Sequence, residues 1–360
     1  MSAADDASRR AADALNERRD AIAAALVERE FAAHPELTQR YGAIGREKSL
    51  QDAGYHLAYL AEAVARGDAT LFADYIGWAK VMLARRGVRS SDLAFHLECL
   101  RDVLPGVLPA ELCPPAQAML DHALRRLPAM PEELDSLIEP GSPHALLAQQ
   151  YLQALLAGER QRASRLILDA AERGVPVKAL YLDVFQRTQR EIGRLWQENR
   201  ISVAQEHYCT VATQLIMSQL YPRIFSGEKT HGAFVATCVS GDLHEIGVRM
   251  VADFFEMEGW DTFYLGANTP DESVVKTLIE RRAVVLGISA TITYHLHNVE
   301  RLIRAVRDTP ECSDTAILVG GYPFNLSPDL WRGIGADGWS QDADGAIALA
   351  GRLVARGRRA

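Results

Sequence analysis

The sequence predicts a chain of class α plus α/β: an all-helical N-terminal domain, then a four-helix bundle, then a doubly wound parallel sheet. Three observations lead there. Residues 1–142 repeat apolar side chains at helical spacing and carry no strand signal. Residues 143–228 hold four more amphipathic stretches, separated by Gly, Pro and Asn. From residue 229 to 360, short apolar runs alternate with helical stretches, the pattern of βαβ units.

In the N-terminal domain, Arg9 to Glu30 places Leu15, Ile22, Leu26 and Val27 on one side, and Pro35 marks a break. Asp52 to Arg66 repeats Tyr55, Leu57, Leu60, Ala63 and Val64. Asp68 is an N-cap for Leu71 to Arg85, which Gly87 ends. Ser90-Ser91-Asp92 opens Leu93 to Leu104, and four prolines from Pro105 to Pro115 punctuate the way to Ala116–Leu127. The spacing suggests a globin-like bundle of five to seven helices. Pro128 to Pro143 reads as a polar linker bounded by proline.

The second bundle comprises Ala145–Ala157, Arg160–Arg173, a long Val177–Trp196 and a last helix to about Tyr221. Ser202-Val203-Ala204-Gln205 has the form of a capping box, a hydroxyl at the cap and an amide three residues on. Gly227-Glu228-Lys229 links the bundle to the sheet.

The sheet begins with Ala233 to Val239, an apolar run bounded by Ser240-Gly241. Asp242-Leu243-His244-Glu245-Ile246-Gly247 follows, and then a helix, Val248 to Glu258, stopped by Gly259. Asp242 and His244 therefore stand on a loop at the carboxyl end of a strand, where open α/β sheets bind ligands. An Asp two residues before a His can accept from one ring nitrogen and leave the other to a metal. A second strand, Val284–Thr291, ends in small hydroxyls, Ser289 lying 45 residues after His244. A third, Ala316–Gly321, ends in Gly320-Gly321, and Ala336-Asp337-Gly338-Trp339 follows.

Composition narrows the function. The 360 residues include 48% apolar ones, ample for two or three cores. No run of eighteen apolar residues predicts a membrane span, and Met1 to Asp6 has no signal-peptide character. Five scattered cysteines with no CxxC pair read as reduced thiols in a cytoplasmic protein. The net charge of −8 argues against nucleic acid as a partner.

Asp-x-His-x-x-Gly, the Ser289 strand end and the Gly-Gly pair, in this order, resemble the cobalamin-binding module of corrinoid methyltransferases, mutases and light sensors, over about residues 230 to 355. The resemblance implies a flavodoxin-like sheet. It implies that His244 is the lower axial ligand of cobalt, with Asp242, Leu243 and Gly247 around it. Ser289, Thr291, Gly320 and Gly321 would line the slot for the displaced nucleotide tail. Trp196 and Glu206-His207, with nine residues between Trp and Glu and with Val203 inside, resemble the cap of adenosylcobalamin photoreceptors. There the Trp and the Glu surround the adenosyl group. In the DNA-binding members a His directly follows the Trp; here Gln197 stands in its place. No helix-turn-helix of the type that precedes those sensors is found.

The domain order resembles photocobilins, light sensors that hold adenosylcobalamin and biliverdin together. On that resemblance Tyr55, His56, Arg85, Arg86, His96, Tyr294 and His295 are candidates for contacts to a bilin. The expectation is a photoreceptor, not an enzyme. Photolysis of its cobalt–carbon bond would change association in a homo-oligomer, a dimer in the first instance, or binding to an unknown output protein. No catalytic domain follows the sheet before Ala360. The alternative is a corrinoid carrier for methyl transfer.

Overall fold

A computed structural model describes residues 3–225 and 228–357. Met1, Ser2, Gly227 and Ala360, which enter the expectations about the termini and the linker, lie outside the described residues. The chain forms two compact units, Met1–Glu132 and Glu133–Ala360.

The first unit is helical: Ala3–Glu17, Arg19–Ala33, Glu36–Arg66, Ala69–Ala84, Ser90–Val107 and Cys113–Arg126. Leu15, Ile22, Leu26, Leu57, Phe72 and Leu97 are among its buried residues. Local chemistry sets the helix ends. Gly67 closes one helix at φ 64°, and the Asp68 carboxylate accepts from the Thr70 N–H at 2.9 Å to open the next. The helix expected from Asp52 begins at Glu36 and is kinked at Gly42. Pro105 does not end its helix, which runs on to Val107. Its missing N–H forfeits one rung of the backbone ladder, and only two residues of helix follow it.

Residues 134–138, within the linker expected from Pro128 to Pro143, are bonded to the bundle. The Leu134 N–H donates to Glu198 at 3.0 Å, the Leu137 N–H to Glu191 at 2.9 Å, and the Arg194 guanidinium to the Leu134 carbonyl at 2.9 Å. Ile138 is buried in the bundle core. Three charges buried together must pair, and this arginine bridges both glutamates. The segment is thus a strap on the bundle.

The bundle helices are Ala145–Leu156, Arg160–Glu172, a helix in three parts and Val203–Gln219. The three-part helix runs Val177–Ala179, a π-helical Leu180–Gln186 and Arg187–Gln197. Its core includes Tyr151, Ile167, Phe185, Ile192, Ile216 and Met217, and shares Met250, Phe254 and Ala343 with the sheet part. Tyr181 donates to Asp253 at 2.8 Å. Bundle and sheet therefore share one core.

The sheet has five parallel strands, β1 (Ala233–Cys238), β2 (Asp261–Gly266), β3 (Val285–Ser289), β4 (Ala316–Gly320) and β5 (Gly338–Trp339), in the order β2-β1-β3-β4-β5. That is the flavodoxin-like order, with its switch point between β1 and β3. β2 and the helix after it, Asp271–Arg281, have no counterpart in the sequence reading. Phe234 of β1 stacks on Phe255 with centroids 3.8 Å apart. A Cβ at Gly287 of β3 would come within 2.8 Å of the Phe234 ring, so glycine is needed there for packing.

Candidate cofactor site

Register places the site. Cys238 of β1 is level with Ser289 of β3, and Ser289 with Gly320 of β4. The three strand ends therefore form one edge at the switch point. The loop 239–245 rises from it, and the helix Ile246–Met257 leaves it.

Asp242 is the buried anchor of this loop, with no solvent exposure. One carboxylate oxygen accepts from the His244 N–H at 3.0 Å and pairs with His244 Nδ1 at 2.8 Å. The other accepts from the Thr291 N–H at 2.6 Å and has His295 Nδ1 3.7 Å away. Burial alone would raise this carboxyl's pKa. The hydrogen bonds from the His244 side chain and the two backbone N–H groups, with the His295 imidazole nearby, outweigh it and hold the group well below the usual carboxylate range. The same hydrogen bond raises the His244 pKa against desolvation, and the Glu206 charge adds to the rise. Asp242 thus stays ionised and holds one ring nitrogen, leaving Nε2 available to a ligand.

The His244 side chain is 57% exposed, and Leu243 beside it is 72% exposed. A Cβ on Gly247 would meet nothing within 4 Å. An exposed imidazole, a bare leucine and an open glycine side by side fit a large planar group laid over the loop. Among the described residues, no three His, Cys, Asp or Glu could together hold a bare metal ion. A single imidazole suits a cobalt whose other positions a macrocycle fills.

The slot residues fit unequally. Ser289 and Thr291 are partly buried at the strand ends. Gly320 has room, its Cβ position lying 3.8 Å from the nearest atom. Gly321 has a reason of its own: at φ 103°, a Cβ would fall 2.0 Å from the Ala290 carbonyl oxygen. The fold itself requires glycine at 321.

The cap follows from two local signals. Asn199 adopts φ 57° and ends the helix carrying Trp196. The Ser202 hydroxyl accepts from the Gln205 N–H at 3.2 Å, and the Gln205 side chain accepts from the Ser202 N–H at 3.0 Å, completing the capping box. Trp196 is partly buried, Val203 is exposed, and Gln197 is buried. The Glu206 carboxylate accepts from the Thr210 hydroxyl at 2.9 Å and lies 3.5 Å from His207 Nε2. His207 itself is 72% exposed.

Several polar partners of the loop have no sequence motif. Asn268 accepts from the Gly241 N–H at 2.8 Å, and Asn298 donates to the Ser240 carbonyl at 3.0 Å. Glu245 is the most connected of them. Of the residues expected at a bilin, His295 is buried in the sheet part, supporting the Asp242 loop, with the Tyr294 ring 4.3 Å from its own. In the first unit His56 and His96 are buried in a polar chain. Tyr75 OH is 2.8 Å from His56 Nδ1, and Glu30 is 3.1 Å from His96 Nδ1. Tyr55 is 48% exposed, and Arg86 donates to the Met82 carbonyl at 2.9 Å. Arg85 caps the C-terminal end of the helix Ala69–Ala84.

Comparison with known proteins agrees with this geometry. Two family models, both described as B12 binding domains, match residues 232–348 and 147–221. A corrinoid protein of Desulfitobacterium hafniense (strain Y51) is 25% identical over 215 residues, 58% of this chain and 98% of that protein. The dimethylamine corrinoid protein of Methanosarcina barkeri is 29% identical over 140 residues, 39% of this chain and 64% of that protein. The solved Methanosarcina barkeri monomethylamine corrinoid protein superposes with a TM-score of 0.53 at 21% identity, covering 59% of this chain and 100% of that one. That superposition bears on the fold. Together the two domain matches and the relatives support cobalamin as the ligand of the second unit. Among the described residues, no helix is long and apolar enough to cross a membrane.

Proposed function

We propose that this chain is a corrinoid carrier protein, which holds cobalamin through His244 and presents an alkyl group, methyl in the first instance, to separate donor and acceptor proteins. The observation that carries the reading is the buried Asp242 bonded to Nδ1 of an exposed His244. The relatives, two of them named for dimethylamine and monomethylamine, favour methyl as the cargo. Bound cobalamin supplies a cobalt–carbon bond that methyl transfer makes and breaks. The protein's share is to bind and to orient. Asp242 fixes the imidazole and keeps its free nitrogen basic. Leu243 and Gly247 offer an apolar, open floor, and Ser289, Thr291 and Gly320 line the slot for the nucleotide tail. Trp196, Val203 and Glu206 would help to hold the bound group on the side of the bundle. On this reading the chain is a carrier subunit and not itself the catalyst.

One observation favours a second reading, light sensing with adenosylcobalamin. The capped turn brings an aromatic face and a carboxylate into the cap, and the charge of Glu206 reaches His244. A Trp face can stack on adenine, and a carboxylate can accept from sugar hydroxyls. Biliverdin as a second chromophore belongs to this reading alone.

Titration in the dark with methyl- and adenosylcobalamin, followed by green light, separates the two. A carrier binds both forms comparably, is reduced and remethylated, and shows no lasting change of mass or hydrodynamic radius on illumination. Strong preference for the adenosyl form, with a lasting spectral and hydrodynamic change, would replace the carrier by the sensor. If no cobalamin gives a spectrum with imidazole on cobalt, both readings fail.

A further inference from the structure

We infer that Glu245 is a positioning residue that latches the cap helix Val203–Gln219 to the cobalt-ligand loop, so that ligation by His244 and seating of the cap are one coupled event. This rests on the cobalamin reading above and deepens it. Glu245 directly follows His244 and uses both carboxylate oxygens. One accepts from the Gln214 side-chain amide at 2.5 Å. The other accepts from the Tyr264 hydroxyl at 2.9 Å and the Ala267 N–H at 3.1 Å. It thereby joins the cap helix, β2 and the loop after β2 through one side chain. Gly266, at φ 80°, lets this happen: a Cβ there would press within 3.1 Å of the same oxygen. These hydrogen bonds are partly shielded from water.

The placement matters because Gln214 lies two turns along the same helix from Glu206, with Thr210 between them. Any displacement of the His244–Glu245 backbone pulls directly on the helix that bears Glu206. Conversely, a cap that swings away must break the Gln214 contact and release one oxygen of the residue beside the cobalt ligand. Such reciprocity is what a coupling between two sites means thermodynamically.

Hydrogen–deuterium exchange and cobalamin spectra on the full chain test the latch, with Gln214→Ala, Glu245→Ala and Glu245→Gln. In the apo protein, Gln214→Ala should speed exchange in 241–247, across the gap from the mutation, by roughly 2- to 10-fold, the worth of one hydrogen bond. With hydroxocobalamin, the wild type should protect both 203–219 and 241–247. Glu245→Ala should lose the protection of 203–219 and lower the fraction with imidazole on cobalt by roughly 10-fold or more, as expected of an outer partner of a ligand. Glu245→Gln should restore both, since a carboxamide oxygen still accepts from Tyr264 and Ala267, and Gln214 can turn its amide. Unchanged exchange in 241–247 for apo Gln214→Ala, or loss in Glu245→Ala with no rescue by glutamine despite a folded spectrum, would overturn the latch. Absence of imidazole ligation in the wild type would instead overturn the cobalamin reading, while the apo comparison still judges the latch.

Discussion

A carboxylate with no exposure and three donors bonded to it is the smallest unit that explains this site. Asp242 and His244 are legible in the sequence because two residues in one loop carry the pairing. The remaining supports of Asp242 are not: Thr291 contributes a backbone N–H, which every residue but proline has, and His295 comes from a short turn after β3. Their effects should separate. His244→Ala is expected to leave cobalamin weakly bound, and electron paramagnetic resonance of the Co(II) form should lose the splitting from a protein nitrogen. Asp242→Asn should keep that splitting but weaken binding by roughly 10- to 100-fold, the usual range for the partner of a ligating histidine. A protein nitrogen still on cobalt in His244→Ala would assign the ligand elsewhere. Gln197 shows the limit of a motif: it follows Trp196 where the cap resemblance leads one to expect a His, and here it is buried.

Elements were legible where their signals are local and lost where they are not. The capping box at Ser202 and the stop at Gly259 can be read from adjacent residues, and both stand in the structure. β2 went unread because it is an edge strand whose residues are only half buried, so it needs no long apolar run. The strap 134–138 looked like a linker because its fixings are backbone groups meeting Glu191, Arg194 and Glu198 some sixty residues later. Those three side chains sit on the helix segment that ends in Trp196 and Gln197 and in its cap. Arg194→Ala should therefore destabilise the second unit by roughly 3–5 kcal/mol, because two buried carboxylates lose their partner. Arg194→Lys should recover only part of this, since an ammonium cannot bridge both carboxylates and a carbonyl in one plane. Urea denaturation followed by tryptophan fluorescence would measure both. A cost for Arg194→Ala near zero would mean that the strap is not held by this triad.

At the scale of the whole second unit, the question is what holds a helical bundle to a parallel sheet. Most of the joint is apolar, with Phe185, Met250 and Phe254 in one core, but Tyr181 and Asp253 form a polar bond inside it. Burial raises the Asp253 pKa to about 6, despite the Tyr181 hydrogen bond and the charge of Arg249, which lower it. An unfolded aspartate titrates near 3.9. The folded state therefore holds this proton more tightly than the unfolded state. Its contribution to stability is complete below about pH 4 and is lost as pH rises through about 6, a loss of roughly 3 kcal/mol. Carboxylates with lowered pKa values, such as Asp242 and Glu191, act in the opposite sense at lower pH, so the effect must be read as a difference. Asparagine is neutral at every pH and still accepts from Tyr181. Asp253→Asn should accordingly match the wild type near pH 4 and exceed it by about 3 kcal/mol at pH 7. Urea midpoints at half-unit steps between these limits would trace the divergence. Parallel curves for the two proteins would show that Asp253 does not carry this proton, and that the bundle and the sheet are joined with the carboxylate already ionised.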